Sequence, residues 1–159
     1  MFVAAYARAD EWAVVREIRL RALADSPDAF TSTWERESHF SEDQWRDRVE
    51  RGHWFLARQD EQCVAVAGVI LPAEPAADAD LVAMWAAPEQ RGTPTAELLV
   101  EAACSWAAET GIRAVGLWVV ESNLRAQRFY HRLGFIATGD REQLRGRAGE
   151  WEIRMRRTL

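Results

Sequence analysis

The amino-acid sequence predicts one domain of the α/β (α+β) class over residues 1–159, with a mixed central sheet of about six to seven strands flanked by about four helices. Three observations carry this prediction. Short apolar runs typical of strands alternate with amphipathic runs typical of helices. No repeat, low-complexity run or long linker divides the chain. With 48% hydrophobic residues, including eight Trp and six Phe, the chain can bury one sizeable core.

The first forty residues are expected to form a strand, a helix and an irregular segment. Residues 2–8 have the composition of a short first strand, and Asp10 is a suitable N-cap for the helix that follows. The inner face of that helix is predicted to consist of Trp12, Val15, Ile18, Ala22 and Leu23. Turn-forming residues at 25–28 end it, and residues 29–40 lack periodicity and are expected to be irregular.

A second helix and a hairpin come next. Ser41 and Gln44 have the spacing of a capping box, which predicts the start of this helix. Residues 53–58 and 63–71 are strand-like and are joined by four polar residues, the pattern of a β-hairpin. Within the second of these strands, Gly68 marks a bulge or a close backbone approach.

The remaining elements alternate between strands and helices. They are predicted as a strand over 81–85, a helix from 95 to 109, a strand over 113–120, a helix over 124–133, and strands over 135–138 and 150–156. The strand over 113–120 is too apolar for a half-exposed position and is expected at the centre of the sheet. A polar, arginine-rich loop is expected over 140–149.

The composition argues against several classes of function. A net charge of −5 disfavours nucleic acid as a partner, and no apolar run is long enough to span a membrane. Cys63 and Cys104 form no CxxC pattern and the three histidines lack zinc-ligand spacing, so no metal site is expected. Arg8 and Asp10 interrupt the N-terminal apolar run, which excludes a signal peptide. The expected location is cytoplasmic.

Residues 88–96 form a turn that links a buried strand to a helix N-terminus. A glycine-containing turn in this position presents backbone N–H groups to an anion such as a diphosphate. The same residues also fit an ordinary helix start, in which Thr93 is the N-cap and Pro94 occupies the first helical position. The local pattern leaves both interpretations open.

A second segment, over residues 121–135, begins a helix at Asn123 and returns to the sheet at Gly134. The inward face of this helix is predicted to consist of Ala126, Phe129, Tyr130 and Leu133. Its outer face carries a stripe of three arginines, Arg125, Arg128 and Arg132.

In their order and spacing, the two segments together resemble the GNAT superfamily of acetyl-CoA-dependent N-acetyltransferases. The family's R-x-x-G-x-G/A turn corresponds to Arg91-Gly92-Thr93-Pro94-Thr95-Ala96, with Pro94 in place of a glycine. The family's N-x-x-A-x-x-x-Y helix and its L-G-F end correspond to Asn123, Ala126, Tyr130 and Leu133-Gly134-Phe135, which match at every position. The lead-in MWAAP and the segment SPDAF extend the resemblance to nearly the whole chain.

The resemblance implies acetyl-CoA as co-substrate and a role for each matched residue. The backbone of Trp85, Ala86 and Ala87 is expected to pair with the pantetheine arm and to polarise the thioester carbonyl. Backbone N–H groups of Arg91, Gly92, Thr93, Thr95 and Ala96 are expected to hold the pyrophosphate. Asn123 is expected to hydrogen-bond the pantetheine arm, and Ala126 belongs to the same cofactor-binding surface. Tyr130 is expected to protonate the departing thiolate, because a phenol stays protonated at neutral pH. The arginine stripe either meets a CoA phosphate or is a solvated helix face.

The general base is left open by the sequence. The strand before the turn offers no carboxylate or histidine over residues 82–85. The candidates are Asp80, Glu121, Glu35 and Glu37, and a water relay is an equal alternative.

Two functions are compatible with these features. The first is an N-acetyltransferase acting on a primary amine of a small molecule or a peptide, with an acceptor site built by residues 25–40 and 140–151. The second is a catalytically impaired module of the same fold that binds CoA or mediates dimerisation; Pro94 favours it, because one phosphate-binding N–H group is lost. Whether the last strands form a homodimer is left open. A Rossmann or P-loop domain is excluded, because neither G-x-G-x-x-G nor GK[ST] is present.

Overall fold

The computed structural model describes residues 1–159 and contains seven strands and five α-helices. The strands are β1 (Phe2–Tyr6), β2 (His53–Gln59), β3 (Gln62–Ile70), β4 (Ala79–Ala86), β5 (Ala114–Val120), β6 (Ile136–Gln143) and β7 (Trp151–Thr158). The helices are α1 (Trp12–Asp25), α2 (Trp34–Ser38), α3 (Glu42–Arg51), α4 (Thr95–Glu109) and α5 (Leu124–Arg132).

The strands form one mixed sheet in the order β1-β2-β3-β4-β5-β7-β6. All neighbouring strands are antiparallel except β4 and β5, which are parallel. The fold class and the central position of β5 are therefore confirmed. One core cluster packs α4 and α5 against one face of the sheet, and a second packs α1 and α3 against the other face. No helix combines the length and the apolar character needed to cross a membrane.

The start of α1 differs from the prediction. A short 3-10 turn over Ala9–Glu11 precedes the helix, and Asp10 does not cap it. Glu11 instead accepts a hydrogen bond from the Arg8 N–H at 2.8 Å. A glutamate can reach back three residues to an unpaired N–H, which moves the start of the helix beyond Asp10.

The segment over 29–40, expected to be irregular, contains the helix α2. Thr33 caps this helix by accepting a hydrogen bond from the Arg36 N–H at 3.1 Å. At five residues, α2 is too short to show a helical period in the sequence. Tertiary contacts stabilise it, because Glu37 of this helix is buried and bonds to Arg19 of α1 and Arg48 of α3.

The predicted capping box of α3 is confirmed. The Ser41 hydroxyl accepts from the Gln44 N–H at 3.2 Å, and the Gln44 side chain accepts from the Ser41 N–H at 2.7 Å. The β2–β3 hairpin is also present. Gly52 ends α3 where a Cβ atom would come within 2.7 Å of the Arg48 carbonyl oxygen.

A β-bulge interrupts the pairing of β3 with β4, as Gly68 had suggested. The register shifts between Val66 and Gly68, opposite Trp85 and Val82. Ala83 has a positive φ of 56°, a conformation that costs a non-glycine residue about 1–2 kcal/mol. The bulge therefore changes the direction of β4 immediately before the turn over 88–96.

The strand β6 is longer than predicted and includes part of the expected loop. It runs to Gln143 and pairs with β7 through Arg141 opposite Ile153 and Glu142 opposite Glu152. Every residue of β6 is exposed, so the strand carries no apolar alternation to reveal it. The backbone hydrogen bonds with β7 therefore define β6 as a strand.

Candidate active site

The strands β4 and β5 separate soon after they meet. They pair only at Ala79 with Val115 and at Asp80 with Gly116. Beyond these pairs, β4 continues to Ala86 and β5 to Val120 without a shared hydrogen bond. The backbone groups that face this gap are available to an extended ligand, as the groups of an open sheet edge are.

A cavity of about 420 Å³ opens at this gap and is called the central cleft. Its walls come from residues 27–33, the β4 residues 81–84, the β5 residues 117–120, the start of α5, the loop over 144–147, and Glu152. Arg147 closes it at one end by donating hydrogen bonds to the carbonyl oxygens of Asp28, Pro27 and Phe30. The two segments predicted to build the acceptor site therefore meet across the central cleft.

Asn123 and Tyr130 bring α5 into the wall of the central cleft, together with Ala126. Asn123 begins α5, and its side-chain oxygen accepts a hydrogen bond from the Ala126 N–H at 3.1 Å. This cap orients the Asn123 amide and leaves its NH₂ group without a protein acceptor.

Tyr130 is packed between two aromatic rings. Phe129 and Phe135 contact it edge-on, with ring centroids 5.2 and 5.7 Å away. Burial raises the pKa of the Tyr130 phenol above its usual value. The phenol is therefore protonated throughout the neutral range, as a proton donor must be.

The arginine stripe of α5 lies where the sequence predicts it. Arg125, Arg128 and Arg132 are all exposed, while Phe129, Tyr130 and Leu133 pack against the core. Arg125 and Arg128 form no ion pair within the protein.

The turn over 88–96 leaves only some of its N–H groups free. The N–H groups of Arg91 and Thr93 already bond to the carbonyls of Pro88 and Gln90, at 3.2 and 3.1 Å. Those of Gly92, Ala96 and Glu97 make no hydrogen bond within the protein. Of the predicted phosphate-binding groups, Gly92 and Ala96 are thus available, and Glu97 adds one that the sequence prediction did not include.

The hydroxyls of this turn face inward. Thr93 and Thr95 bond to each other at 2.9 Å, and the Thr95 hydroxyl donates to the buried Gln90 side chain at 3.0 Å. The Thr95 N–H approaches only the Thr93 hydroxyl, at 3.4 Å. Because Pro94 lies at the helix start with no N–H and both hydroxyls are engaged, neither threonine supplies the missing donor.

The backbone amides of residues 85–87 point alternately toward β3 and toward the gap between β4 and β5. Ala87 donates its N–H to the Val64 carbonyl of β3 at 2.9 Å. Successive backbone amides of a strand point to opposite edges, so the Ala86 amide faces the gap toward β5. The Trp85 indole is buried on the α1 side, where it donates to Asp25 at 3.1 Å.

The four candidate bases named from the sequence are occupied or lie elsewhere. Glu37 is buried between Arg19 and Arg48, and Asp80 lies 2.6 Å from Arg154. Glu121 pairs with Arg141 at 2.5 Å. Glu35 is exposed on α2 and lines none of the larger cavities.

Two residues with carboxylate side chains, Asp28 and Glu152, line the central cleft together with Tyr130. Glu152 was not among the candidate bases. It lies on β7 opposite Val120 of β5 and opposite Glu142 of β6. Burial, together with the hydrogen bond and the negative charge of Glu142, raises the pKa of Glu152 to about 7. A carboxylate with this pKa can accept a proton near neutral pH.

Glu152 is a candidate base that the sequence pattern does not reveal. Residues 140–149 were assigned to a loop, which left Glu142 without a partner strand. Had β6 been extended to Gln143, the antiparallel register would have placed the two glutamates side by side.

Comparison with known proteins identifies the family to which the chain belongs. The profile of the Acetyltransferase (GNAT) family matches residues 19–135. That match covers most of the chain, so the protein belongs to the GNAT family of acetyltransferases, whose fold supports acetyl transfer from acetyl-CoA. The resemblance inferred from the two motifs is confirmed.

Several solved structures share the fold at low sequence identity. A GNAT-family acetyltransferase from Streptococcus pneumoniae has a TM-score of 0.82 and 17% identity over 100% of this chain and 99% of its own. The ribosomal-protein-S18-alanine N-acetyltransferase of Escherichia coli has a TM-score of 0.72 and 19% identity over 100% of this chain and 94% of its own. A candidate streptothricin acetyltransferase from Bacillus anthracis was solved in complex with acetyl-CoA. It has a TM-score of 0.61 and 18% identity over 68% of this chain and 62% of its own. A search of curated protein sequences found no match.

Proposed function

We propose that this protein transfers an acetyl group from acetyl-CoA directly to a primary amine of a small molecule or peptide. The observation that carries the proposal is that a partly buried phenol, Tyr130, and a carboxylate of raised pKa, Glu152, line one cleft at the gap between β4 and β5. An acid and a base that line one cleft are the groups that direct amine acetylation needs.

The gap and the turn provide the groups that would hold acetyl-CoA. Unpaired backbone groups of β4, including those of Ala86, face the gap and can pair with the amides of the pantetheine arm. Asn123 can hydrogen-bond the same arm. The free N–H groups of Gly92, Ala96 and Glu97 lie at the N-terminus of the fifteen-residue helix α4, where a pyrophosphate is stabilised by the helix dipole.

The proposed proton transfers use one group on each side of the cleft. Acetyl-CoA supplies the acetyl group as a thioester. Glu152 takes the proton of the acceptor's ammonium group, and the neutral amine attacks the thioester carbon. As the carbon–sulfur bond breaks, Tyr130 gives its proton to the sulfur. The second proton that the nitrogen loses as the amide forms restores the Tyr130 phenol, and Glu152 releases its proton to solvent. No acyl-enzyme is required, so the buried Cys104 and the partly buried Cys63 can remain structural.

The pH dependence of turnover tests the assignment of the base. The charged groups around Glu152 are Glu142 on β6, Arg154 on β7, Asp28, and Arg145 and Arg147 in the loop over 144–147. Because the base must be deprotonated, kcat/KM is expected to rise as the pH increases through about 7. Turnover is measured by release of free CoA thiol with a panel of primary amines.

Two variants separate the base from its neighbour. In Glu152→Gln, kcat/KM at pH 8 should fall about a hundredfold, and the acidic limb should move toward the pKa of the amine itself, about 10. In Glu142→Gln, activity should persist while the limb moves to lower pH, because a hydrogen bond and a negative charge that raise the Glu152 pKa are lost. An unchanged pH profile in both variants would exclude Glu152 as the base.

The alternative function, an impaired module that binds CoA or dimerises, is favoured by Pro94 and by the engaged hydroxyls of Thr93 and Thr95. Thiol release above the rate without amine would exclude it. The absence of a carboxylate or histidine over residues 82–85 also favours this alternative, but Glu152 offers a carboxylate in the central cleft from β7 instead. The cytoplasmic location and a homodimer through the last strands stay predictions.

A further inference from the structure

A second cavity, of about 440 Å³, lies beside the central cleft and is called the arginine cavity. Residues 29–31, 81–83 and 117–118 line both cavities, so the two adjoin along the separated ends of β4 and β5. The arginine cavity also has Arg19 of α1 and Arg48 of α3 in its wall. An acceptor whose amine lies in the central cleft can therefore extend toward these two arginines.

Both arginines are held by one buried carboxylate. Arg19 donates to Glu37 from Nε at 3.0 Å and from Nη2 at 2.9 Å. Arg48 donates to the same carboxylate from Nη1 at 2.5 Å. Burial by itself would raise the Glu37 pKa, but these hydrogen bonds outweigh it and lower that pKa to about 2. Glu37 is therefore ionised and fixes the orientation of both guanidinium groups.

One nitrogen of Arg19 has no acceptor. Arg19 is only 5% exposed, and its Nη1 is buried without a hydrogen-bond partner. The Phe30 ring covers the face of the guanidinium, 4.7 Å from its central carbon, and leaves the edge free. A buried N–H donor of a charged group that lacks a partner is costly, and a ligand oxygen would relieve that cost.

The charges of the arginine cavity favour a single negative charge. Two guanidinium groups face one carboxylate, Glu37, which leaves one uncompensated positive charge. The other ionised pair at this wall, Asp80 with Arg154 at 2.6 Å, is neutral overall. A carboxylate, with one negative charge and two acceptor oxygens, satisfies both the charge and the unpaired donor.

We propose that Arg19 and Arg48 bind a carboxylate of the acyl acceptor, so that the acceptor is an amino acid rather than a simple amine or a peptide N-terminus. The proposal rests on the proposed function, because it places the acceptor's amine in the central cleft. It assigns Glu152 to the amine end of the acceptor and the two arginines to the carboxylate end.

The test compares amino acids with their own amides. The panel contains α-, β-, γ- and δ-amino acids, each paired with the amide of the same chain length, and thiol release is measured with acetyl-CoA. For at least one chain length, the acid should have a kcat/KM at least about tenfold above that of its amide, the usual effect of a charge-assisted hydrogen bond. Equal or better turnover of the amides would overturn the proposal and favour a peptide N-terminus.

A variant identifies the arginines as the source of the preference. Arg48→Gln leaves Glu37 both of its hydrogen bonds from Arg19 and removes the uncompensated positive charge, so it should lower the acid-to-amide ratio toward one. Arg46→Gln is the matched control, since Arg46 lies on the same helix but pairs with the exposed Glu42. An acid preference that is undiminished in Arg48→Gln would show that the carboxylate does not lie at Arg48 and would overturn the assignment. If Arg48→Gln does not fold, the acid-to-amide ratio of kcat/KM in the wild type alone tests the proposal.

A binding measurement separates this proposal from the proposed function. If no amine in the panel is acetylated, the proposed function fails, and the melting temperature is then measured with each acid and each amide. A rise in Tm with an acid and not with its amide would support the carboxylate site independently of turnover. The absence of any difference would overturn it.

Discussion

The two sides of the gap between β4 and β5 present different kinds of group to a ligand. On the side proposed to bind acetyl-CoA, the turn over 88–96 and the start of α5 offer mainly backbone N–H groups. On the side proposed to bind the acceptor, ionisable side chains converge from distant parts of the chain. They are Arg19, Glu37, Arg48, Asp80, Glu152 and Arg154.

This difference explains why only one side resembles a sequence motif. A backbone N–H group depends on chain conformation, which glycine, proline and capping residues specify over a few positions. Side-chain charges depend on which strands and helices meet. The cofactor side should therefore tolerate changes of side chain and respond to changes of backbone, whereas the acceptor side should respond to single charges.

The largest effect is expected for Glu37→Gln. Removing this charge leaves Arg19 buried without its carboxylate, which should lower the free energy of unfolding by about 3–5 kcal/mol. Urea denaturation at pH 7 measures the change. Glu42→Gln, which breaks an exposed pair with Arg46, is the control and should cost less than about 1 kcal/mol.

The same carboxylate predicts a dependence of stability on pH. The folded-state pKa of Glu37 is lowered from 4.5 to about 2, so its contribution is present above pH 4.5 and is lost as the pH falls toward 2. Glu37→Gln should therefore lose less stability than the wild type across that range. If the free energy of unfolding of the two proteins changed in parallel with pH, that would argue against a charged Glu37.

A large effect on turnover is expected for Tyr130→Phe. Loss of the proton donor should lower kcat about a hundredfold or more, while CoA affinity measured by calorimetry stays within about threefold. Tyr6→Phe is the matched control, because Tyr6 bonds to His53 on the α4 face and lines neither cavity. Full activity of Tyr130→Phe would remove the acid from the proposed mechanism.

An intermediate effect is expected for Pro94→Gly. The glycine adds one N–H donor beside Gly92 and Ala96, and should strengthen CoA binding by about ten- to a hundredfold. Pro75→Gly, in an exposed loop, should leave the affinity unchanged. Equal calorimetric affinities for wild type and Pro94→Gly would show that this position does not contact the phosphates.

The smallest effect is expected for Arg128→Gln. Arg128 is exposed and unpaired on the outer face of α5, and its loss should change stability by less than about 0.5 kcal/mol and CoA affinity by less than about threefold. A weakening of more than tenfold that decreases with added salt would instead indicate a contact with a CoA phosphate.

Locally specified features were predictable from the sequence. The α3 capping box depends on Ser41 and Gln44 alone, and the bulge was indicated by Gly68. The burial of Arg19 was not predicted, although its position on the inner face of α1 indicates it. Arg19 lies one position after Ile18 on the inner face of α1 and is buried there, although the prediction for that face named only apolar residues.

The order of strands and helices and the motif ending in Gly134-Phe135 were enough to identify the fold and the family, because helix caps, turns and apolar periods act over a few residues. The tertiary structure decided which charges meet. Glu142 lies beside Glu152, and Arg19 and Arg48 share Glu37, only because β6 pairs with β7 and because α1, α2 and α3 pack together. Such contacts depend on strand register and helix packing, which no short stretch of sequence specifies.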